Sequence, residues 1–324
     1  MKEISKLLEY RSGVKVVDAT LRDGGLVNNF YFTDDFVKEL YRTNVKAGVD
    51  YMEFGYKASK DMFDVKDFGK WKFCDDEDIR AVVGDNDTDL KIAIMADVGR
   101  CDYKKDIINR CESPIDLIRV ATYLNTIPAA IEVIEDAKNK GYEVSCNIMA
   151  ISNSQESELK VALDMLGKSS ADVFYIVDSY GSLYPEQIAR ISAMYMEFAE
   201  KYNKKVGIHA HNNQQLAFAN TITALVRGVS YLDATANGMG RGAGNCASEQ
   251  LLGFLKNPKY NLIPILKFLE NHIEPLKASG VEWGYNVPYL LTGQMNQHPR
   301  SAIAASKEGR TDFLNFLLEL NDRD

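Results

Sequence analysis

Eight short β-rich runs, each followed by residues with helical spacing, fill the chain between Val14 and Asn237. They are "VKVVDAT" (14–20), "YMEFGY" (51–56), "KIAIMADV" (91–98), "DLIRVATY" (116–123), "YEVSCNIM" (142–149), "VFYIVDS" (173–179), "KVGIHAH" (205–211) and "YLDATAN" (231–237). Alternating strand and helix implies parallel pairing, because a parallel neighbour needs a long crossover, usually a helix. Eight units over about 245 residues match a closed (β/α)8 TIM barrel in number and length. An open doubly wound sheet is the other arrangement that such alternation allows. The helical stretches carry their own signals. In "PEQIARISAMYMEFAEKY", Ile188, Ile191, Tyr195, Phe198 and Tyr202 recur at three- and four-residue steps, with Pro185 suited to the first turn. "TDDFVKELYRTNVKAG" opens on Thr33 as N-cap with two acids behind it and closes on Gly48. From Pro258 onward the strands stop. Leu262, Ile265, Leu266, Leu269, Ile273 and Leu276 form a helical stripe, and "FLNFLLEL" adds an apolar helix near the end. We therefore expect a barrel over residues 1–257 and a small C-terminal helical appendage over 258–324, packed on the barrel or on a second subunit.

Composition narrows the class. Of 324 residues, 46% are hydrophobic and 26% charged, enough for a sizeable core, and the formal net charge is −8. An acidic chain without a basic stripe is a poor partner for nucleic acid. No apolar run approaches the roughly 18 residues that span a bilayer. The opening "MKEISKLLEYRSG" lacks a signal-peptide core, so a cytoplasmic location is expected. The five cysteines (Cys74, Cys101, Cys111, Cys146, Cys246) contain no C-x-x-C pair and read as reduced thiols. Cys246 is either a thiolate near a helix start or a small packed side chain.

The chain has four histidines, and two of them fall in "VGIHAHNNQQ", which runs from Val206 to Gln215. Side chains alternate along a strand, so Gly207, His209 and His211 share one face and Val206, Ile208 and Ala210 the other. With the apolar face toward the helices, the histidines point into the barrel near its C-terminal rim, where barrel enzymes carry their sites. Imidazoles about 6–7 Å apart along a strand both reach one metal ion, each bond needing about 2 Å. Alternatively they are two hydrogen-bonded polar residues at a strand end. The first strand ends in "DATLRDGG", which puts Arg22 and Asp23 at the same rim; only the eighth strand separates strands one and seven. A plain Arg–Asp contact before a glycine turn is the simpler alternative. Two imidazoles and a carboxylate suit Mn²⁺, Co²⁺, Fe²⁺ or Zn²⁺, with Mg²⁺ also possible, and the same set occurs in Fe(II) oxygenases. After the eighth run, the glycines of "NGMGRGAGN" (237–245) suggest backbone close to a ligand. Read as a dinucleotide fingerprint (Gly238, Gly240, Ala243), the loop lacks the acid expected about 20 residues on.

"LRDG", "HAHN" and "GMGRGAGN", in this order, resemble the DRE-TIM metallolyase superfamily, the HMG-CoA lyase-like enzymes, over about three quarters of the chain. The glycine loop and "DSYG" (178–181) look most like its 4-hydroxy-2-oxovalerate aldolases. The resemblance implies a divalent metal, Mn²⁺ first, held by Asp23, His209 and His211, with Asn245 approaching it as in the lyase and synthase branches. It implies that Arg22 stabilises an enolate, that Arg22, Ser179 and His209 touch substrate, and that Tyr285 in "WGYNVPY" sits near substrate as a catalytic group. The implied reaction is carbon–carbon cleavage or formation between a small 2-oxoacid and an aldehyde. A homo-oligomer and an aldehyde dehydrogenase partner are further implications of the same likeness.

The chain departs from the aldolases at one position. They carry a histidine base three residues after the motif aspartate, and here that residue is Leu26. The remaining histidines, His272 and His298, lie in the tail; His298, in "MNQHP", meets the site only if the tail folds over the rim. Tyr285 and a metal-bound hydroxide are the other candidate bases. Two rival functions stay open: an acyl-CoA-dependent Claisen synthase of the isopropylmalate or citramalate type, and a non-catalytic metal- or metabolite-binding relative.

Overall fold

Every one of the eight runs forms a strand. They are β1 (Lys15–Asp18), β2 (Tyr51–Tyr56), β3 (Lys91–Asp97), β4 (Leu117–Thr122), β5 (Glu143–Ile148), β6 (Val173–Asp178), β7 (Lys205–Ala210) and β8 (Tyr231–Ala234). Each pairs in parallel with the next, and β8 closes on β1 with Val17 opposite Asp233, giving a TIM barrel. The computed structural model describes residues 11–322. Residues 1–10, which hold most of the opening stretch read above for a signal peptide, lie outside the described residues, as do 323 and 324.

The first strand is shorter than its run. The Asp18 carboxylate accepts from the backbone N–H of Thr20 at 3.2 Å and from its hydroxyl at 2.8 Å, turning the chain at once into a helix, Thr20–Asn28. "LRDG" is thus the first turns of a helix above the barrel mouth and not the end of a strand. The other helices begin and end on the expected signals. Thr33 accepts from Phe36 N–H, Gly48 adopts φ 73°, and the Pro185–Tyr202 helix buries Ile188 and Tyr195. No described helix is long and apolar enough to cross a membrane.

Strand alternation sorts the side chains into two cores. Val206, Ile208 and Ala210 of β7 join the large apolar shell between barrel and helices. Inside the barrel, Val17, Tyr51, Ala93 and Leu117 form an apolar floor. Next to it, Gly207 leaves room for the buried Tyr175: a Cβ there would sit 2.5 Å from that ring.

Above the floor lies a layer of charge. Arg119 of β4, fully buried, donates to Glu53 of β2 at 2.7 Å and to Asp233 of β8 at 2.6 Å. Its guanidinium carbon lies 4.4 Å from the centroid of the Tyr175 ring. Burial opposes the Asp233 charge, but Arg119 and then His209 outweigh it and hold that carboxyl below its usual range. Burial likewise disfavours the Arg119 cation, and Asp233 and Glu53 overcome it. A buried charge is tolerated only when paired in this way.

The tail packs on its own barrel. Phe268 meets Phe36 with ring centroids 5.1 Å apart, and Lys259 Nζ reaches Asp50 at 2.6 Å. The helices Val287–Gln294, Arg300–Lys307 and Phe313–Asn321 then share a small core of Ala302, Ala305, Phe316 and Leu320. Two polar ties hold the tail over the C-terminal rim: Trp283 Nε1 donates to the Asn237 carbonyl at 3.0 Å, and Asn296 Nδ2 to the Ser152 carbonyl at 3.1 Å. All five cysteines are free, and burial pushes the Cys246 thiol up to about 12, so it is a packed side chain.

Replacing Arg119 with Met takes the shared cation from two buried carboxylates, and we expect a loss of about 3–5 kcal/mol in urea unfolding. Gly207→Ala drives a methyl into the Tyr175 ring and should cost about 1–3 kcal/mol, although alanine is normally the better strand residue. Unchanged midpoints would overturn both assignments.

Candidate metal centre

Two elements bring the ligand set together across β8. His209 and His211 project from the end of β7 with ring centroids 5.0 Å apart and planes crossed at 82°. Asp23 arrives from the first turn of the helix after β1, where its N–H is bonded to the Ala19 carbonyl at 2.9 Å. One potential ligand atom from each of the three lies within 4.8 Å of the others, and His211 Nδ1 is 3.9 Å from Asp23 Oδ2. All three residues are buried. Among the described residues this is the one such triad.

The donors are in the right protonation states for a cation. Burial opposes ionisation of Asp23, yet the positive charges beside it, those of Arg22 and Arg241, hold its carboxyl well below the usual range. Burial drives His211 well below the ordinary imidazole value, so it is neutral and keeps a lone pair. His209 Nδ1 lies 3.0 Å from Asp233 Oδ2, so that nitrogen carries the proton and donates. Its Nε2 is buried and without a protein partner, a lone pair aimed at the place a metal would take. A carboxylate behind a ligating imidazole is the usual way to fix its ring and tautomer. The donor set, its charge and this orphaned nitrogen fit a divalent ion.

Arg22 is clamped beside the triad. Its Nε donates to Glu53 at 2.9 Å and its Nη1 to Asp23 at 2.7 Å, while Nη2 lies 3.4 Å from His209 Nδ1. Burial works against its charge, but Glu53 and Asp23 prevail and keep it a cation.

The glycine loop backs the carboxylate. Arg241 N–H donates to Asp23 Oδ2 at 3.3 Å, and Asn245 Nδ2 donates to the same oxygen at 2.6 Å. A Cβ at Gly240 would stand 2.3 Å from Asp23 Oδ2 and 2.0 Å from Asn245 Nδ2, so only glycine fits there. The close approach expected of this loop is therefore to Asp23. Asn245 meets the cluster through that carboxylate, and its own Oδ1 has no partner.

These residues border a cavity of about 60 Å³ at the barrel mouth, lined also by Ser179, Tyr56, Asn147 and Leu26. That volume holds a few water-sized groups, the scale of a small acid. The Ser179 hydroxyl accepts from Ala150 N–H at 2.8 Å, and its carbonyl accepts from Arg241 Nη2 at 2.8 Å. Tyr285 is not among the lining residues. It is 56% exposed, standing just before the Val287–Gln294 helix, whose cap Asn286 turns the chain inward only afterwards. His298 takes a place in the wall instead, because the tail does fold over the rim. His272 packs on Phe268 far along the tail helix, with ring centroids 5.0 Å apart.

Sequence reasoning missed Glu53, Arg119 and Asp233. Each is the one charged residue of its strand, on the same alternation that selected the histidines.

Comparison with known proteins agrees with this geometry. The HMGL-like family model matches residues 13–267. A 4-hydroxy-2-oxovalerate aldolase of Bacillus cereus is 30% identical, covering 96% of this chain and 91% of its own length. An oxaloacetate decarboxylase of Mycobacterium tuberculosis is 31% identical, covering 74% of this chain and 69% of its own length. The solved N-terminal domain of a candidate aldolase from Bacteroides vulgatus superposes with a TM-score of 0.77 at 28% identity, covering 90% of this chain and 96% of that one. With its barrel, its Asp–His–His triad and this match in view, the chain belongs to the HMGL-like family of the DRE-TIM superfamily.

Proposed function

We propose that this protein is a divalent-metal-dependent carbon–carbon lyase of the class II aldolase type, cleaving or forming 4-hydroxy-2-oxoacids by way of pyruvate enolate. The observation that carries the proposal is the convergence of Asp23, His209 and His211 beside a buried, clamped Arg22 in one small cavity. The 4-hydroxy-2-oxovalerate aldolase relative supports the reaction class.

Asp23, His209 and His211 would hold the ion, manganese in first place, with magnesium, cobalt or zinc suited to the same donors. The bound ion supplies Lewis acidity toward the ketone oxygen of a 2-oxoacid. The rest falls to the chain. Arg22 presents a fixed positive charge, so negative charge developing on the enolate oxygen meets a donor that needs no reorganisation. Asp233 keeps His209 in its ligating tautomer, and Asn245 with the Arg241 N–H steadies Asp23. Ser179 lines the pocket as a substrate contact. A cavity of about 60 Å³ under the tail favours a small oxoacid over an acyl-CoA thioester. We take residues 1–257 as the catalytic barrel, 258–324 as an appendage that completes its mouth, and the cytoplasm as the location. A homo-oligomer and a dehydrogenase partner remain part of this proposal on family likeness alone.

A second reading rests on Leu26. Decarboxylation of oxaloacetate passes through the same enolate without a base for a 4-hydroxyl, and one relative carries that name.

Exchange of the pyruvate methyl protons with deuterated water reports the enolate directly. It should require Mn²⁺, stop with a chelator and return on re-addition. Asp23→Asn or His211→Ala should abolish it and weaken Mn²⁺ binding by calorimetry more than about 10-fold, as loss of a ligand exceeds loss of its support. Exchange at the wild-type rate in either variant refutes the assignment.

A further inference from the structure

We propose that His298, supplied by the tail, is the group that binds and polarises the aldehyde oxygen (the C4 oxygen of the oxoacid), acting as a neutral Nε2–H donor. This rests on the lyase reading above and assigns the half of the reaction for which Leu26 offers no polar group.

Of the barrel residues in the cavity, Asp23, His209, His211 and Arg22 answer for the metal and the enolate, Tyr56, Tyr123, Asn147 and Tyr180 line the rest, and Leu26, at the position where aldolases carry a histidine, offers no polar atom. His298 lies in the same cavity wall as Leu26 and the triad. It is the one described histidine there apart from the two metal-site imidazoles. Its ring is held edge-on by Tyr180, with centroids 5.6 Å apart and planes at 68°. Its Nδ1 accepts from the Arg300 N–H at 3.2 Å, at the start of the Arg300–Lys307 helix. That bond decides the tautomer. An imidazole whose Nδ1 accepts from a backbone N–H carries its proton on Nε2, so Nε2 is a donor and not a base. Burial, then the positive charges of Arg241 and Arg300, pushes the group down to about 4, so the ring stays neutral and keeps that arrangement.

In the direction of synthesis, C3 of pyruvate enolate bonds to the aldehyde carbon, the carbonyl π pair moves to oxygen, and the resulting alkoxide takes a proton from water. A fixed N–H aimed at that oxygen stabilises the charge as it forms, which for a single donor of this kind is worth about 10²–10³-fold in rate. Neutral imidazole suits this role, since it polarises a carbonyl without first having to bind a proton.

The test uses the Mn²⁺-loaded full chain with pyruvate and acetaldehyde. His298→Ala should lower aldol addition by about 10²-fold and raise the KM for acetaldehyde. The loss in addition should exceed any change in pyruvate methyl exchange at least 10-fold. His298→Gln, whose amide restores an N–H, should recover much of the addition rate; a base would not be replaced by an amide. Glutamine as poor as alanine overturns the donor role, and addition unaffected by either variant overturns any role in aldehyde binding. Wild-type protein that exchanges pyruvate protons yet adds no aldehyde refutes this inference alone. Absence of exchange as well refutes the lyase reading and takes this inference with it.

Discussion

Arg119 holds the site together from below. It touches no ligand of the candidate metal, yet both arms of the centre hang from its two partners: Glu53 carries Arg22, and Asp233 carries His209. Because all of these groups are buried, their geometry is not negotiable with solvent; each lost bond leaves a charge with nowhere to go. That rigidity is what a preorganised site needs. The layer also sets the electrostatics. Asp23, Glu53 and Asp233 face Arg22 and Arg119, and Arg241 adds a third positive charge at the cavity wall, so the protein's own cations balance the three carboxylates. A divalent cation adds net positive charge there, which in the proposed reaction draws an anionic 2-oxoacid.

How much of this was legible in the sequence differs from residue to residue. The barrel was written in the eight β runs, because each needs a parallel partner and a helix to reach it. The triad was legible because "HAH" alternates on one strand and "LRDG" follows a strand two places away in a closed ring. The strand boundary after Asp18 was not, since it turns on a side-chain bond from Asp18 to Thr20 that no periodicity reports. Glu53, Arg119 and Asp233 do leave a signal in the sequence. A charge in the middle of a β run must either face water or be paired, and in a closed barrel the inward face has no water to offer.

In the tail, spacing alone decides nothing. "WGYNVPY" and "MNQHP" both offer a polar ring, and nothing in their pattern says which ring faces the site. The outcome depends on ties made in three dimensions: Trp283 to the loop after β8, and Asn296 to the Ser152 carbonyl beyond β5. Those anchors leave Tyr285 on the outer surface and bring His298 inward. A residue belonging to the appendage thus lines the cavity, so the division between barrel and tail is one of chain position and not of the site.

This distribution has a chemical logic. The groups assigned to the 2-oxoacid stand on strands or in the first turn after one, held by buried ion pairs that tolerate little change. The group assigned to the aldehyde stands on a segment fixed by a few hydrogen bonds and a small core of its own. Enolate formation demands the same charges in the same places whatever the electrophile, whereas the electrophile differs between reactions. Barrel enzymes vary their loops while keeping their strands for this reason. Leu26 fits the same division: with an apolar side chain on the rigid wall, the proposed polar contact to the electrophile comes from the tail, where a shift of one helical turn would change that contact without moving the ligand triad.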